Sequence, residues 1–402
     1  MYFKRFDQVF LYIVVSVIIS ASCVCAEETS ISYEITADLS WMSHDEQYHR
    51  YVINGADFPQ ITGRFQADSQ RVHSSCSFFF TPVPEDESIP IVLRRFYAHP
   101  TALRFQLAVS PEHERTYIHK NPEKHFQSVT LEQQRSRSAS ADLQLYVSKD
   151  TALLFSGHSA KIEGETLSSN SLLMEARRER DEIQRSYSFG VSHYFLSYVQ
   201  AAARYTLTGG EYANVTSRGD EPNPSSNHET TLDGDSEGKE IMLSGRYIRH
   251  NQIGIQGAYQ YTHSTTTSTM VSWHEDVPPV YQNPVSRVSF DGDVRQHHVG
   301  GNLDFYWKPN VTFQLGGDFV GFRQETRYGT AQAVDEEWDR WTVRGGIMYY
   351  LHRHVGIWLQ YAFSKQNGLV ETWFPDSGTE QRTTYQTEAD WQVVQIGVTG
   401  RL

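Results

Sequence analysis

The pentapeptide Gly234-Asp235-Ser236-Glu237-Gly238 fits the pattern G-x-S-x-G, in which a serine acts as nucleophile. That chemistry needs the serine on a sharp turn between a buried strand and a helix. Here the surroundings, residues 209–238, are rich in Gly, Asp and Ser, with neither element in view, so the motif argues against a hydrolase. Asp233, Asp235 and Glu237 offer alternate carboxylate oxygens that could hold Ca²⁺. Seven acids between Glu211 and Glu237 face only Arg218, and a solvated acidic loop accounts for them as well. A third group is Arg104, Arg204, Arg246, Arg344 and Arg401, set against Asp304 and Asp318. These could line a wet path that favours anions, or pair with one another and brace a wall.

The elements that must position such residues alternate in polarity. "LDFYWKPNVTFQLGGDF" (303–319) has two alternating runs around Lys308-Pro309-Asn310, the signature of a β-hairpin. The same layout recurs in "ADLQLYVSKDTALLFSG" (141–157), "YSFGVSHYFLSYVQAAARYTL" (187–207), "IMLSGRYIRHNQIGIQGAYQY" (241–261) and "VRGGIMYYLHRHVGIWLQYAF" (343–363). One face of each run is apolar and the other small, polar or charged. In 355–363, Val355, Ile357, Leu359, Tyr361 and Phe363 oppose Gly356, Trp358, Gln360 and Ala362.

Tight turns therefore alternate with long polar segments, as short periplasmic turns alternate with long extracellular loops in a transmembrane barrel. Aromatic residues crowd the tight turns: Tyr146, Tyr194, Phe195, Tyr247, Tyr306, Trp307, Tyr349 and Tyr350. They are expected to form a girdle at one membrane interface. A charged side chain facing lipid at mid-depth costs about 2 to 4 kcal/mol, which puts the arginines and aspartates named above on the lumen face.

A longer sixth turn candidate is "TPVPEDESIPIVLRRFYAHP" (81–100), after "VHSSCSFFF" and before "TALRFQLAV". Six such turns join seven hairpins, which predicts about fourteen strands, the first at 32–41; if residues 27–98 were partly periplasmic the count would be 12. The fold expected is all-β, a transmembrane antiparallel up-and-down barrel. "STMVSWHEDVPPVYQNPVSRVSF" (268–290), with Trp273, is a candidate constriction or an outer cap.

The ends and the composition agree. Lys4 and Arg5, an apolar run from Val9 to Ile19 and Val24-x-Ala26 have the layout of a signal peptide, so 1–26 is expected to be removed and the barrel to comprise 27–402. That removal takes away Lys4, Arg5 and Asp7, a net +1, and moves the charge from −13 to −14, which argues against nucleic acid as a partner. Cys76 is then the one remaining cysteine, without a disulfide partner. No C-x-x-C-H haem site or zinc-spaced Cys/His cluster occurs, and no cofactor is expected.

On these residues the chain resembles the porin-like barrels of the Gram-negative outer membrane. "FFFTPVPEDESIPIVLRRF" is similar to the first periplasmic turn of some of them, and "WQVVQIGVTGRL" resembles the carboxy-terminal strand that outer-membrane proteins present to their assembly machinery, although it ends in Leu402 rather than an aromatic. The resemblance implies a non-enzymatic outer-membrane channel for passive diffusion of small polar or anionic solutes. Its surroundings would be outer-membrane lipid and lipopolysaccharide, and its partners the barrel-assembly machinery and the solutes. The alternative is a non-conducting barrel acting through its loops as adhesin, receptor or structural partner.

Overall fold

In a computed structural model of the chain, the residues described are 32–54, 61–80, 88–90, 93–98, 101–121, 126–170, 174–220, 228–274, 286–328, 332–352, 355–374 and 381–401. The expected signal segment, 1–26, lies outside them. Fourteen strands follow one another: β1 (Ser32–Asn54), β2 (Ile61–Phe79), β3 (Ala102–Asn121), β4 (Phe126–Tyr146), β5 (Thr151–Asn170), β6 (Met174–Leu196), β7 (Val199–Asp220), β8 (His228–Arg249), β9 (Ile253–His274), β10 (Ser286–Lys308), β11 (Val311–Tyr328), β12 (Gln332–His352), β13 (Val355–Phe374) and β14 (Gln381–Arg401). Each pairs antiparallel with its neighbours, and β1 pairs with β14, from Thr36 opposite Arg401 to Asn54 opposite Thr384. The ring is closed, so no strand edge is left unpaired. Because β1 and β2 are wall strands, residues 32–54 and 61–79 belong to the ring and the twelve-strand count does not apply.

Four of the five tight turns fall where the alternation puts them, at residues 147–150, 197–198, 250–252 and 309–310, and the fifth connection, between β12 and β13, lies outside the described residues. In the turn between β8 and β9, His250 and Asn251 take left-handed backbone angles, φ 51° and 56°, a conformation in which Asn is well tolerated. The faces follow too: Leu303, Phe305, Leu315, Val355, Ile357, Leu359, Val394, Ile396 and Val398 are exposed on the outside, whereas Asp304 and Gly356 are buried toward the lumen. This outward apolar belt is what a bilayer requires in place of a protein core.

Two expectations need correction. First, the polar segments are mostly strand rather than long loops. Strand β7 runs to Asp220 and β8 begins at His228, while β9 runs to His274 and β10 begins at Ser286. Only the connections 221–227 and 275–285 remain between them, outside the described residues, and Trp273 pairs in the wall opposite Glu229. Above the membrane both faces are wet, so polar residues are tolerated on either side while the backbone ladder continues. Thr262 and Thr265–Thr267 favour strand there. A 22-residue strand at a tilt of about 40° climbs roughly 57 Å, well beyond an apolar band of about 25 Å. A binding role carried by 209–238 as a loop loses most of that loop.

Second, only half of the turn-end aromatics form a girdle. Phe195, Tyr247, Trp307 and Tyr349 are exposed on the outside, but Tyr194 and Tyr306 are 5% and 4% exposed. Tyr194-Phe195, Tyr306-Trp307 and Tyr349-Tyr350 are adjacent pairs, and a period of two sends one member of each inward.

What the inward tyrosines meet is the 80–101 connection. It carries a short helix, α1 (Arg94–Ala98), rather than a bare turn. Leu93 and Phe96 pack with Tyr194, Ile248 and Tyr306 into the buried apolar cluster of the molecule, with Ile89, Tyr97 and Tyr146 at its margin. The segment leaves the wall between β2 and β3 and reaches residues of β6, β8 and β10, nearly opposite in a ring of fourteen. It therefore crosses the periplasmic mouth of the barrel.

Candidate functional site

Above this floor is a cavity of about 830 Å³ inside the barrel. Its charged lining comes from five strands: Arg104 on β3, Asp142 on β4, His158 on β5, Arg204 on β7, and Glu240 and Arg246 on β8. Inward placement follows from the alternation around each of them. Arg204 lies between outward Ala203 and exposed Tyr205, and Arg246 between Gly245 and exposed Tyr247. Phe79, Phe96 and Tyr194 close the chamber below.

The three arginines differ in what they touch. Arg104 Nε donates to Ser77 Oγ at 3.2 Å. Arg246 stacks over the Phe96 ring, 5.0 Å from its centroid, and Nη2 donates to Tyr306 Oη at 3.4 Å, while its Nε is buried without an acceptor. Arg246 thus holds the floor as well as lining the chamber. Arg204 has no hydrogen bond or ion pair among the described residues, and its guanidinium stands free in the lumen. Of the two acids, Glu240 accepts from Gln260 Nε2 at 2.9 Å, and Asp142 makes no such contact among the described residues.

The floor is tied down at both faces. The ring of Phe96 meets Tyr194 edge-on at 5.2 Å and Tyr97 at 5.4 Å. Tyr97 Oη donates to Asn251 Oδ1 at 2.6 Å, in the turn between β8 and β9. Burial pushes the Tyr97 phenol above its ordinary value, against the pull of the Arg246 guanidinium, so the hydroxyl remains a donor at neutral pH.

On the other side of the barrel the sequence candidates brace the wall instead of lining a path. Arg344 Nη1 donates to Asp318 Oδ1 at 2.9 Å, and Nε and Nη2 donate to Asn302 Oδ1 at 3.1 and 3.0 Å. Arg344, on the lumen face, thus acts as a clamp between β10, β11 and β12. Asp304, 3% exposed, accepts from Gln256 at 3.3 Å, Tyr306 at 3.2 Å and Gln314 at 3.2 Å. Arg401 pairs through its backbone with Thr36, and its side chain lies outside the described ones.

The remaining motifs lose their chemistry to the strand. Ser236 is in the middle of β8, opposite Gly210 and Thr266, with neither turn nor helix to make it a nucleophile. Asp233, Asp235 and Glu237 lie on the exposed outer face of the same strand. Alternate residues there are about 7 Å apart, too far to converge on an ion whose oxygens lie at about 2.5 Å, and among the described residues no metal-holding cluster occurs.

A closed up-and-down ring with an apolar outer belt and a polar lumen defines a transmembrane β-barrel. No protein-family model matches the chain, and no curated protein is similar to it in sequence. Among solved structures it is similar to a FadL homologue of Pseudomonas aeruginosa, with a TM-score of 0.51 at 10% identity over 91% of this chain and 90% of that one. It also superposes on the Pseudomonas putida toluene transporter TodX (TM-score 0.44, 8% identity, 92% and 89% covered) and on the translocator domain of the autotransporter NalP from Neisseria meningitidis (0.37, 10%, 98% and 98%). The fold is that of the Gram-negative outer-membrane β-barrels.

Proposed function

We propose that the chain is an outer-membrane channel that admits small polar or anionic solutes to the chamber above α1 and releases them when α1 leaves the periplasmic mouth. Export through the amino-terminal segment and insertion by the barrel-assembly machinery belong to the same reading. The observation that carries it is the uncommitted Arg204 guanidinium in a cavity of about 830 Å³, with Arg104 and Arg246 on the same lining. Three guanidiniums face two carboxylates there, one of them already held by Gln260. The local sign is positive although the whole chain is at −13. A small anion entering gains a charge-assisted contact that no wall residue has claimed.

The test is single-channel recording in planar bilayers across a KCl gradient. Wild type is expected to conduct with an anion-selective reversal potential, and Arg204→Glu to move that potential toward cation selectivity. A well-folded wild type without conductance, or a reversal potential that Arg204→Glu leaves unchanged, overturns the reading.

A further inference from the structure

The outer face of the barrel carries a second charge pattern, independent of the lumen. On several strands, followed outward from the aromatic girdle, the lipid-facing side chains are uncharged until a first charged one appears. On β8, after Tyr247, Leu243 and Ile241, it is Lys239; on β10, after Trp307, Leu303, Val299 and His297, it is Arg295. On β9 the first titratable one is His263 and on β11 it is Arg323. These four are in register across consecutive strands, Lys239 opposite His263, His263 opposite Arg295 and Arg295 opposite Arg323. On β5 and β6 the first outward charges are again basic, Lys161 and Arg185.

Like charges set opposite one another across a sheet are destabilising, so such a row asks for counter-anions. The protein supplies some of them: Asp293 accepts from His263 at 2.8 Å and Arg295 at 3.0 Å, and Glu325 from Arg323 at 3.4 Å. Lys239 has no hydrogen bond or ion pair among the described residues. It borders an outward-facing groove of about 710 Å³ over β6 to β9, with Gly209 in its lining. Arg185 and His263 share the groove with Lys239, Tyr187 and Leu207 give it apolar surface, and Glu211, Asp235 and Glu237 occupy its part farther from the membrane, where Glu211 reaches Arg185 at a long 3.9 Å.

The height of this collar identifies its partner. From Trp307 to Val299 the outward apolar run covers eight residue steps, about 21 Å of climb at a tilt of about 40°, close to an apolar band of about 25 Å. The next outward residues, His297 and Arg295, are therefore at the level of the outer-leaflet head groups. On an acidic chain the first outward charge is nonetheless basic on β5, β6, β8, β10 and β11, whereas on β7, β12 and β14 it is Glu211, Asp339 and Asp390. We infer that the groove bordered by Arg185, Lys239 and His263 binds a phosphorylated glycolipid of the outer leaflet, of the lipid A class. Its phosphate meets Lys239 and Arg185, its sugars fill the groove beside Gly209, and its acyl chains run down over Leu207, Ile241 and Leu243.

The test uses the full-length barrel in detergent micelles, with native mass spectrometry reading the lipid retained from added bis-phosphorylated lipid A, dephosphorylated lipid A or phosphatidylglycerol. Bis-phosphorylated lipid A is expected to be retained about tenfold over each of the others, and Arg185→Glu with Lys239→Glu to abolish that preference, since charge-assisted contacts are the stronger hydrogen bonds. Arg185→Gln with Lys239→Gln, which removes charge without reversing it, is expected to lower the preference at least threefold and serves if the acidic pair does not fold. Both pairs lie outside the lumen and leave conductance unchanged, so this inference and the channel reading fail separately. Equal retention of dephosphorylated lipid A overturns the phosphate assignment. Equal retention of phosphatidylglycerol reduces the collar to general attraction for anions and overturns the glycolipid. Undiminished retention by a folded double variant overturns the site.

Discussion

The floor of the chamber yields a prediction whose size can be worked from its contacts. Phe96 is 5% exposed, meets Tyr194 edge-on at 5.2 Å and lies under the Arg246 guanidinium at 5.0 Å. Burial of the ring contributes roughly 2 kcal/mol, the aromatic pair about 1 and the cation–π contact about 1. The total, about 4 kcal/mol, agrees with the cost of about 3 to 5 kcal/mol for removing a buried phenylalanine. If α1 leaves the mouth as a unit, Phe96→Ala shifts its docked-to-released ratio by roughly a thousandfold, at 1.4 kcal/mol per factor of ten. The strands do not depend on Phe96 for pairing, so the barrel stays intact, as the heat-dependent shift of its mobility in SDS gels would report. Single-channel records of the variant are expected to show long open times where wild type is mostly closed, and Phe96→Leu, which keeps apolar volume but loses about 2 kcal/mol of aromatic and cation–π contact, to lie between the two. An unshifted open fraction in folded Phe96→Ala would refute the idea that α1 is the gate.

The wall and the last strand each carry a further expectation. Arg344→Met leaves Asp318, nearly buried, without its cation, and is expected to destabilise by about 3 kcal/mol, toward the low end for breaking a buried pair because Arg344 is a third exposed. A urea titration of the refolded barrel reads this, and Asp318→Leu added to it recovers most of the loss; an additive double variant argues against the clamp. At Gly397 a Cβ would run into the Trp358 indole, so Gly397→Ala forces that side chain to move and is expected to cost about 1 to 3 kcal/mol in the same titration. An unchanged midpoint would mean that the indole has room to turn.

What the sequence makes legible is whatever a single strand decides. Alternation of polarity is local, so the hairpins around 309–310 and 353–354, and the sides taken by Leu303 against Asp304, could be read directly. Polarity is no guide where both faces are wet: in 209–238 alternation does not distinguish lipid from water, and wall has the composition of a loop. The plug was within reach of the same rule. Two aromatic neighbours at a strand end, such as Tyr306 and Trp307, cannot both face lipid, and a tyrosine turned into a lumen needs something apolar to meet. The one connection with an apolar run, 89–97, was the available partner.

Pairings around the ring are of another kind. Arg344 and Asp318 are 26 residues apart, and nothing in either strand's pattern says that they meet, because partnership depends on register across β11 and β12. The same holds for the collar. Lys239, His263, Arg295 and Arg323 are unremarkable in four separate polar stretches, and register alone sets them side by side. The chain is acidic as a whole, yet its lumenal chamber carries three arginines against two carboxylates, and a row of basic residues crosses β8 to β11 at the head-group level. Net charge is a sum over residues, whereas an anion responds to the few charges within about 10 Å of it at ordinary ionic strength. A composition of −13 therefore says little about which ions this barrel attracts, and the ring geometry decides it.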